Sequence, residues 1–167
     1  MKIESFRRVP GQEYADWWHQ RYGTPPDLFA ALAFFQRGRA TVWVAAASVQ
    51  LQGLPVVDGV GIPFARIGGR VWKPTSSAAI QFGAAATRNL VEVTLHEAEL
   101  LVGRSPVLLD RHDPRRQLPI CGYVLARLHG VPIGCVLWRG THIESCVPKA
   151  RAVAELDRAP SLDRSRR

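Results

Sequence analysis

Lysine is scarce in this chain, three residues against nineteen arginines, and acidic side chains are few, 14 Asp and Glu against 22 Lys and Arg. The shortage of negative charge leaves a formal net charge of +8 and a pI near 10.2, which draws phosphate or acidic lipid surfaces toward the molecule. The arginine preference has two readings. Guanidinium forks suit bidentate phosphate recognition and base stacking, and a GC-biased coding composition gives the same excess. No run of eighteen apolar residues occurs, and the first ten residues carry charge where a secretory signal needs an apolar stretch. A cytoplasmic protein without membrane attachment is the expectation. Cysteine is sparse as well. Cys121, Cys135 and Cys146 are odd in number and contain no Cys-x-x-Cys pair, so neither a disulfide framework nor a zinc knuckle is indicated, and buried free thiols are expected. The five histidines, His19, His96, His112, His129 and His142, lack metal-ligand spacing, so no metal site is expected.

What is present is the composition of a folded protein, 47% hydrophobic and 22% charged over 167 residues, enough for one core or one domain with a small appendage. Residues 12–22 have helical character, with Tyr14, Trp17, Trp18 and Arg21 within three turns and a stop at Gly23. Thr24, Pro25, Pro26 and Asp27 are read as opening a second helix, with Leu28, Leu32 and Phe35 near helical spacing and Gly38 as its stop. A β-rich run from Thr41 to Ala45 closes this helical amino-terminal unit, assigned to residues 1–50. From Gly53 the texture changes to short β-rich stretches punctuated by Gly and Pro, with a turn at Gly68 and Gly69. Thr75 is placed to cap a short helix over residues 76–82, and Thr94 with Glu97 matches a capping box that starts a second helix ending at Gly103. Residues 123–147 read as a three-stranded meander with turns at His129-Gly130 and Arg139-Gly140. The expected architecture is α+β, a mixed β-barrel or curled sheet over residues 51–154 carrying two short helices, followed by a basic flexible tail at 155–167.

The order of short motifs from Gly53 to Arg151 resembles the carboxy-terminal PUA-like module of the Sun or Fmu (Nol/Nop/Sun) class of RNA cytosine-5 methyltransferases. The resemblance runs through Gly53-Leu54-Pro55-Val56, Gly61-Ile62-Pro63-Phe64, Trp72-Lys73-Pro74-Thr75 and Ala86-Thr87-Arg88-Asn89. It continues through Leu100-Leu101-Val102-Gly103, Gly122-Tyr123-Val124-Leu125-Ala126-Arg127, Gly130-Val131-Pro132-Ile133-Gly134 and Val147-Pro148-Lys149-Ala150-Arg151. The first fifty residues look like the appended segment of stand-alone archaeal-type relatives. The resemblance implies a PUA domain that binds structured RNA and positions it for a separate catalytic domain. It departs from the family in the last hairpin, where Glu144 and Ser145 stand in place of basic or amide residues. Catalysis of that family's kind needs an α/β domain for S-adenosylmethionine and a thiolate following proline. Neither a Gly-x-Gly-x-x-Gly nor a Pro-Cys pair is present, so no catalytic residue and no cofactor is expected.

Structured RNA is gripped chiefly through phosphate and ribose, with a few bases stacked or read in loops. Arg66 and Arg70 flank the Gly68-Gly69 turn, and Lys73 and Thr75 follow, so these four are expected to line one edge leading into a helix amino terminus. The competing reading is a plain cap at Thr75 beside solvated cations. Trp72 is the tryptophan chosen as a base-stacking candidate. Arg88 and Asn89 have two readings, base contact or turn closure. Arg127 is either a phosphate contact or a cation packing its stem on apolar neighbours. Lys149 and Arg151, next to the tail arginines Arg158, Arg164, Arg166 and Arg167, complete a candidate phosphate strip. Asp110, His112 and Asp113 read as a charged loop rather than a hydrolytic cluster. Two functions follow as expectations: an RNA-binding protein for rRNA or tRNA in RNA modification or ribosome biogenesis, and a protein-interaction subunit of a separately encoded methyltransferase, docking through Trp17 and Trp18. The expected partners are structured RNA and either that enzyme or a ribosomal particle.

Overall fold

The computed structural model describes residues 6–52, 57–118 and 121–148. The tail at 155–167, Lys149, Arg151 and the first motif of the resemblance, Gly53 to Val56, lie outside the described residues. The chain is α+β, with ten strands in two five-stranded sheets and three helices among the described residues.

Helix α1 spans Gln12–Tyr22 and buries Tyr14, Trp18 and Tyr22, one face at four-residue spacing. It stops at Gly23, whose φ of 66° is left-handed and whose N–H donates to the His19 carbonyl at 2.8 Å. The second helix expected after it does not form. Pro26 disfavours helical backbone at Pro25, which is extended, and only one 3-10 turn follows at Pro26–Phe29. Residues Leu32–Arg37 are strand β2, preceded in the chain by strand β1 at Arg7–Val9. Ala33 and Phe35 enter one hydrophobic cluster while Phe34 enters another. A strand buried on both faces reads as a continuous apolar run, which spacing alone does not separate from a buried helix.

Strand β3 (Thr41–Ala46) pairs β2 on one side and β4 (Ile62–Arg66) on the other, and β5 (Lys73–Pro74) completes the sheet in the order β1-β2-β3-β4-β5. Residue 50, read as a boundary, therefore falls within the span of one sheet, and the segment ahead of it supplies three strands as well as a helix. All four pairings are antiparallel, and a bulge at Val42/Trp43 adds local bend. Helix α2 (Ser76–Phe82) starts where expected, with the Ala78 N–H donating to Thr75 Oγ at 3.1 Å.

The second sheet runs β6-β8-β9-β10-β7, with β6 at Leu90–Glu92, β7 at Val107–Leu108, β8 at Gly122–Leu128, β9 at Val131–Trp138 and β10 at His142–Ser145. The meander β8-β9-β10 follows the sequence pattern, and its first turn has His129 and Gly130 at φ 52° and 77°, the geometry of a tight primed hairpin. The parallel pairing of β6 with β8 does not show in the pattern. Helix α3 (Leu95–Val102) lies between them in the chain and carries the expected reciprocal capping box of Thr94 and Glu97.

One core joins the sheets: Trp18 and Tyr22 of α1, Phe34, Val44 and Phe64 of the first sheet, Ala78, Ala79 and Phe82 of α2, and Leu125 and Cys135 of the second sheet. The opposite face of the second sheet packs Val124, Ala126, Val136 and Trp138 against Ala98 and Leu101 of α3. Alternation along β8 sends Leu125 one way and Val124 and Ala126 the other, so each residue serves a different cluster.

A charged fork ties α3 to the loop ahead of β8. Arg115 Nη1 and Nη2 donate to the two Glu97 oxygens at 2.8 Å each, and Nε and Nη2 reach Asp113 at 2.9 and 2.6 Å. The Arg115 side chain is 26% exposed, with Glu97 and Asp113 at 14% and 15%. The Arg115 guanidinium holds both carboxyl groups below their usual range, and Asp113 and Glu97 in turn raise the pKa of the guanidinium. Groups depressed in the folded state contribute stability that is complete above the unfolded value, about 4, and is lost as pH falls through the folded values. Arg115→Ala is expected to lower stability at pH 7 by on the order of 1–3 kcal/mol. That deficit narrows as urea midpoints are followed from pH 7 to pH 3, because protonated carboxyls no longer need the cation.

Candidate nucleic-acid interface

Two chain reversals meet at one end of the first sheet. The β2–β3 turn, Gly38-Arg39-Ala40, has Gly38 at φ 63°. Beside it runs the β4–β5 loop, anchored by the Ile67 N–H donating to the Ala40 carbonyl at 2.8 Å. The contact is close: a Cβ at Gly68 would meet the Ala40 Cβ at 3.2 Å. Register carries the adjacency into the strands, with Arg37 opposite Thr41, Thr41 opposite Arg66, and Arg66 opposite Lys73. Arg39 in the first reversal, Arg66 at the end of β4 and Arg70 in the second reversal are all exposed, and all three lie at this end of the sheet. No carboxylate pairs with any of them among the described residues.

Two neighbouring cations are committed elsewhere. Arg37 is half-buried, donates from Nη1 to the Asp58 carbonyl at 2.9 Å and lies 5.5 Å from the Phe6 ring centroid. Lys73 is half-buried, its ammonium 5.4 Å from the Tyr123 ring centroid. Trp72 is half-buried and packs on Tyr14 and Trp17, with centroids 5.5 Å away in both cases, so only part of its ring is open.

Several residues read from the sequence as RNA contacts hold the fold instead. Thr75 Oγ is used twice, accepting from Ala78 N and donating to the Pro63 carbonyl, so it is a cap and not a phosphate ligand. Asn89 is buried at φ 53°, with its amide Nδ2 donating to the Arg21 carbonyl. Together with the Thr87 and Arg88 N–H groups, which donate to the Tyr22 carbonyl at 2.9 and 3.2 Å, it closes the carboxy-terminal end of α1. No base edge can reach that amide. Arg88 is exposed, its Nη2 3.5 Å from the His19 carbonyl at the negative end of the same helix. Arg127 spends Nη2 on the carbonyls of Gly83, Ala84 and Ala86 at 2.8, 3.2 and 2.7 Å, fixing the segment after α2. Its reading as a phosphate contact is corrected on that ground.

The expected docking face fails at its centre. Trp18 has no accessible surface and packs on Tyr22, Phe29, Phe64 and Phe82. A partner touching it would have to open the core. Trp17 is half-buried and leans on Phe64 and Trp72. The thiols also differ from expectation, with Cys135 buried, Cys146 intermediate and Cys121 exposed. Among the described residues no group of three or more His, Cys, Asp or Glu side chains is disposed to hold a metal ion. No helix in them is long and apolar enough to cross a membrane.

Arg39 does not stand out in the sequence, because a helix stopping at Gly38 hides the strand end and the Ala40–Ile67 contact joins segments distant in the chain. Seen as Arg37-Gly38-Arg39 between two apolar runs, the same residues carry a hairpin signal that places Arg39 at a strand end. A family model described as a family of unknown function, DUF7122, matches residues 4–61, which takes in β1 through β3 and the Arg39 turn and stops at the start of β4. No curated protein matches the chain.

Proposed function

We propose that this chain is a non-catalytic RNA-binding protein of PUA-like build that engages structured RNA, rRNA or tRNA, through the basic turns at the end of its first sheet. The observation that carries the reading is that exposed Arg39, Arg66 and Arg70 lie on or beside two abutting chain reversals at one end of the first sheet, with no carboxylate pairing them among the described residues. Unpaired guanidinium groups retain their donor capacity for phosphate oxygens and lose no internal ion pair on binding. Trp72, half-buried against α1 and next in the chain but one to Arg70, is the candidate for stacking one base. The net charge of +8 adds long-range attraction for a polyanion.

The reading assigns the protein to RNA modification or ribosome assembly, with the separate catalyst acting on RNA that this chain holds. Binding to tRNA and to rRNA fragments, measured at two salt concentrations, tests it. Saturable binding that weakens as salt rises is expected, because each neutralised phosphate releases counterions. Affinity for neither RNA at low salt would refute the reading.

A further inference from the structure

Cys135 and Cys146 are the two thiols that the fold brings together. In the β9–β10 pairing Ile143 stands opposite Trp138, Glu144 opposite Leu137 and Ser145 opposite Val136; Cys146 is the next residue after β10, Cys135 the next along β9, and both pack in the core shared by the sheets. Continuing that register by one residue would put the two Cα atoms at the spacing of opposed antiparallel residues, about 4.5–5.5 Å, within the roughly 4.4–6.8 Å that a disulfide spans. The residues around Cys146 are held. Ser145 Oγ donates to the Leu101 carbonyl at 2.6 Å and accepts from Val147 N at 3.2 Å, and Arg104 Nη1 donates to the Val147 carbonyl.

Their surroundings separate the two sulfurs. Cys135 is fully buried in the core shared by the sheets, and Cys146 packs at the edge of that core, partly accessible. Contact with Cys135 and the Lys73 ammonium lowers the Cys146 thiol to about 7, against burial and the Glu144 carboxylate. Burial pushes the Cys135 thiol up, with Lys73 and Arg21 opposing. Tyr22, whose own pKa burial raises, also faces the pair. A partly accessible thiol of lowered pKa beside a buried thiol is the arrangement of an attacking and a resolving cysteine.

We propose that Cys146 and Cys135 form a peroxide-responsive dithiol that closes to a reversible cross-strand disulfide. The Cys146 thiolate attacks one peroxide oxygen: an S–O bond forms, the O–O bond breaks, and the departing hydroxide takes a proton to leave as water. The Cys135 sulfur then attacks the Cys146 sulfenic acid: the S–S bond forms, the S–O bond breaks, and the second water leaves with the Cys135 proton. Two thiols and one hydrogen peroxide become one disulfide and two waters. The ligand class is thus a small neutral hydroperoxide, and a thiol reductant reverses the step.

The test exposes the full chain to stoichiometric hydrogen peroxide, blocks free thiols with an alkylating reagent, and maps cysteine peptides by mass spectrometry before and after reduction. The expected result is a Cys135–Cys146 disulfide in monomeric protein, with exposed Cys121 still alkylated. In Cys135→Ala the intermediate is expected to persist as a dimedone-reactive sulfenic acid at Cys146. Lys73→Met is expected to slow oxidation several-fold by removing the cation that, after the Cys135 contact, helps lower the Cys146 thiol. Oxidation of Cys121 ahead of Cys146, or intact Cys135 and Cys146 thiols in wild-type protein after the peroxide is consumed, would overturn the proposal, and the wild-type map decides it even if a variant fails to fold.

Discussion

Replacing Arg39, Arg66 and Arg70 together by alanine is expected to cut affinity for structured RNA at least about tenfold near physiological salt and to leave the fold intact. The direction follows from what each side chain does in the free protein. All three are exposed, and none pairs with a carboxylate among the described residues, so the substitution removes phosphate donors without removing an internal support. Exposed positions away from caps and ion pairs tolerate substitution within about 0.5 kcal/mol each. The diagnostic quantity is the slope of log affinity against log salt. Loss of three phosphate contacts should shrink it by roughly 2 to 3. Filter binding or fluorescence anisotropy across salt concentrations reads both numbers, and circular dichroism checks the fold. Arg127→Ala is the contrasting variant: its guanidinium serves three carbonyls after α2, so it should lower thermal stability before it changes the salt slope.

Trp18→Ala is expected to be the most damaging single substitution in α1. The ring has no accessible surface and lies 4.8–6.3 Å, centroid to centroid, from Tyr22, Phe29, Phe64 and Phe82. Its removal leaves a cavity where α1, the first sheet and α2 converge, at a cost of about 3–5 kcal/mol. Against a typical total of roughly 5–15 kcal/mol, that is a large fraction of the protein's stability. For a chain of this size the melting temperature should fall by about 6–20 °C. Trp17→Ala, half-buried at the edge of the same aromatic group, should cost less. Equal and small losses at both positions in a thermal melt would contradict the buried placement of Trp18 and revive a docking face there.

Where local chemistry decides an element, the sequence reads correctly. Gly23 ends α1 because left-handed backbone suits glycine, Thr75 starts α2, and the Thr94/Glu97 pair starts α3. The meander of β8, β9 and β10 follows from alternation and two turns. Elements set by tertiary context do not read this way. Strand β2 is apolar on both faces, so Leu32 and Phe35, with Leu28 of the 3-10 turn before them, imitate a helix; strand β1 is three residues long and exists by pairing with β2. The parallel β6–β8 pair joins segments separated by α3 and β7, a contact no local pattern encodes.

The candidate site was legible to the same degree. Arg66 and Arg70 emerged from their flanking of Gly68 and Gly69, a local feature. Arg39 did not, because its relevance comes from the Ala40–Ile67 contact between two hairpins. Asn89 and Arg127 misled for the opposite reason: polar side chains near loops resemble contacts until their donors are seen to close α1 and the segment after α2.

Photocrosslinking of the intact chain to bound tRNA, with the attached peptides identified by mass spectrometry, bears most directly on where the polyanion sits. Adducts should concentrate in residues 36–41 and 66–73, the two reversals at the end of the first sheet. Adducts confined to the α3 and β7 side, or to residues beyond 148, would contradict the account.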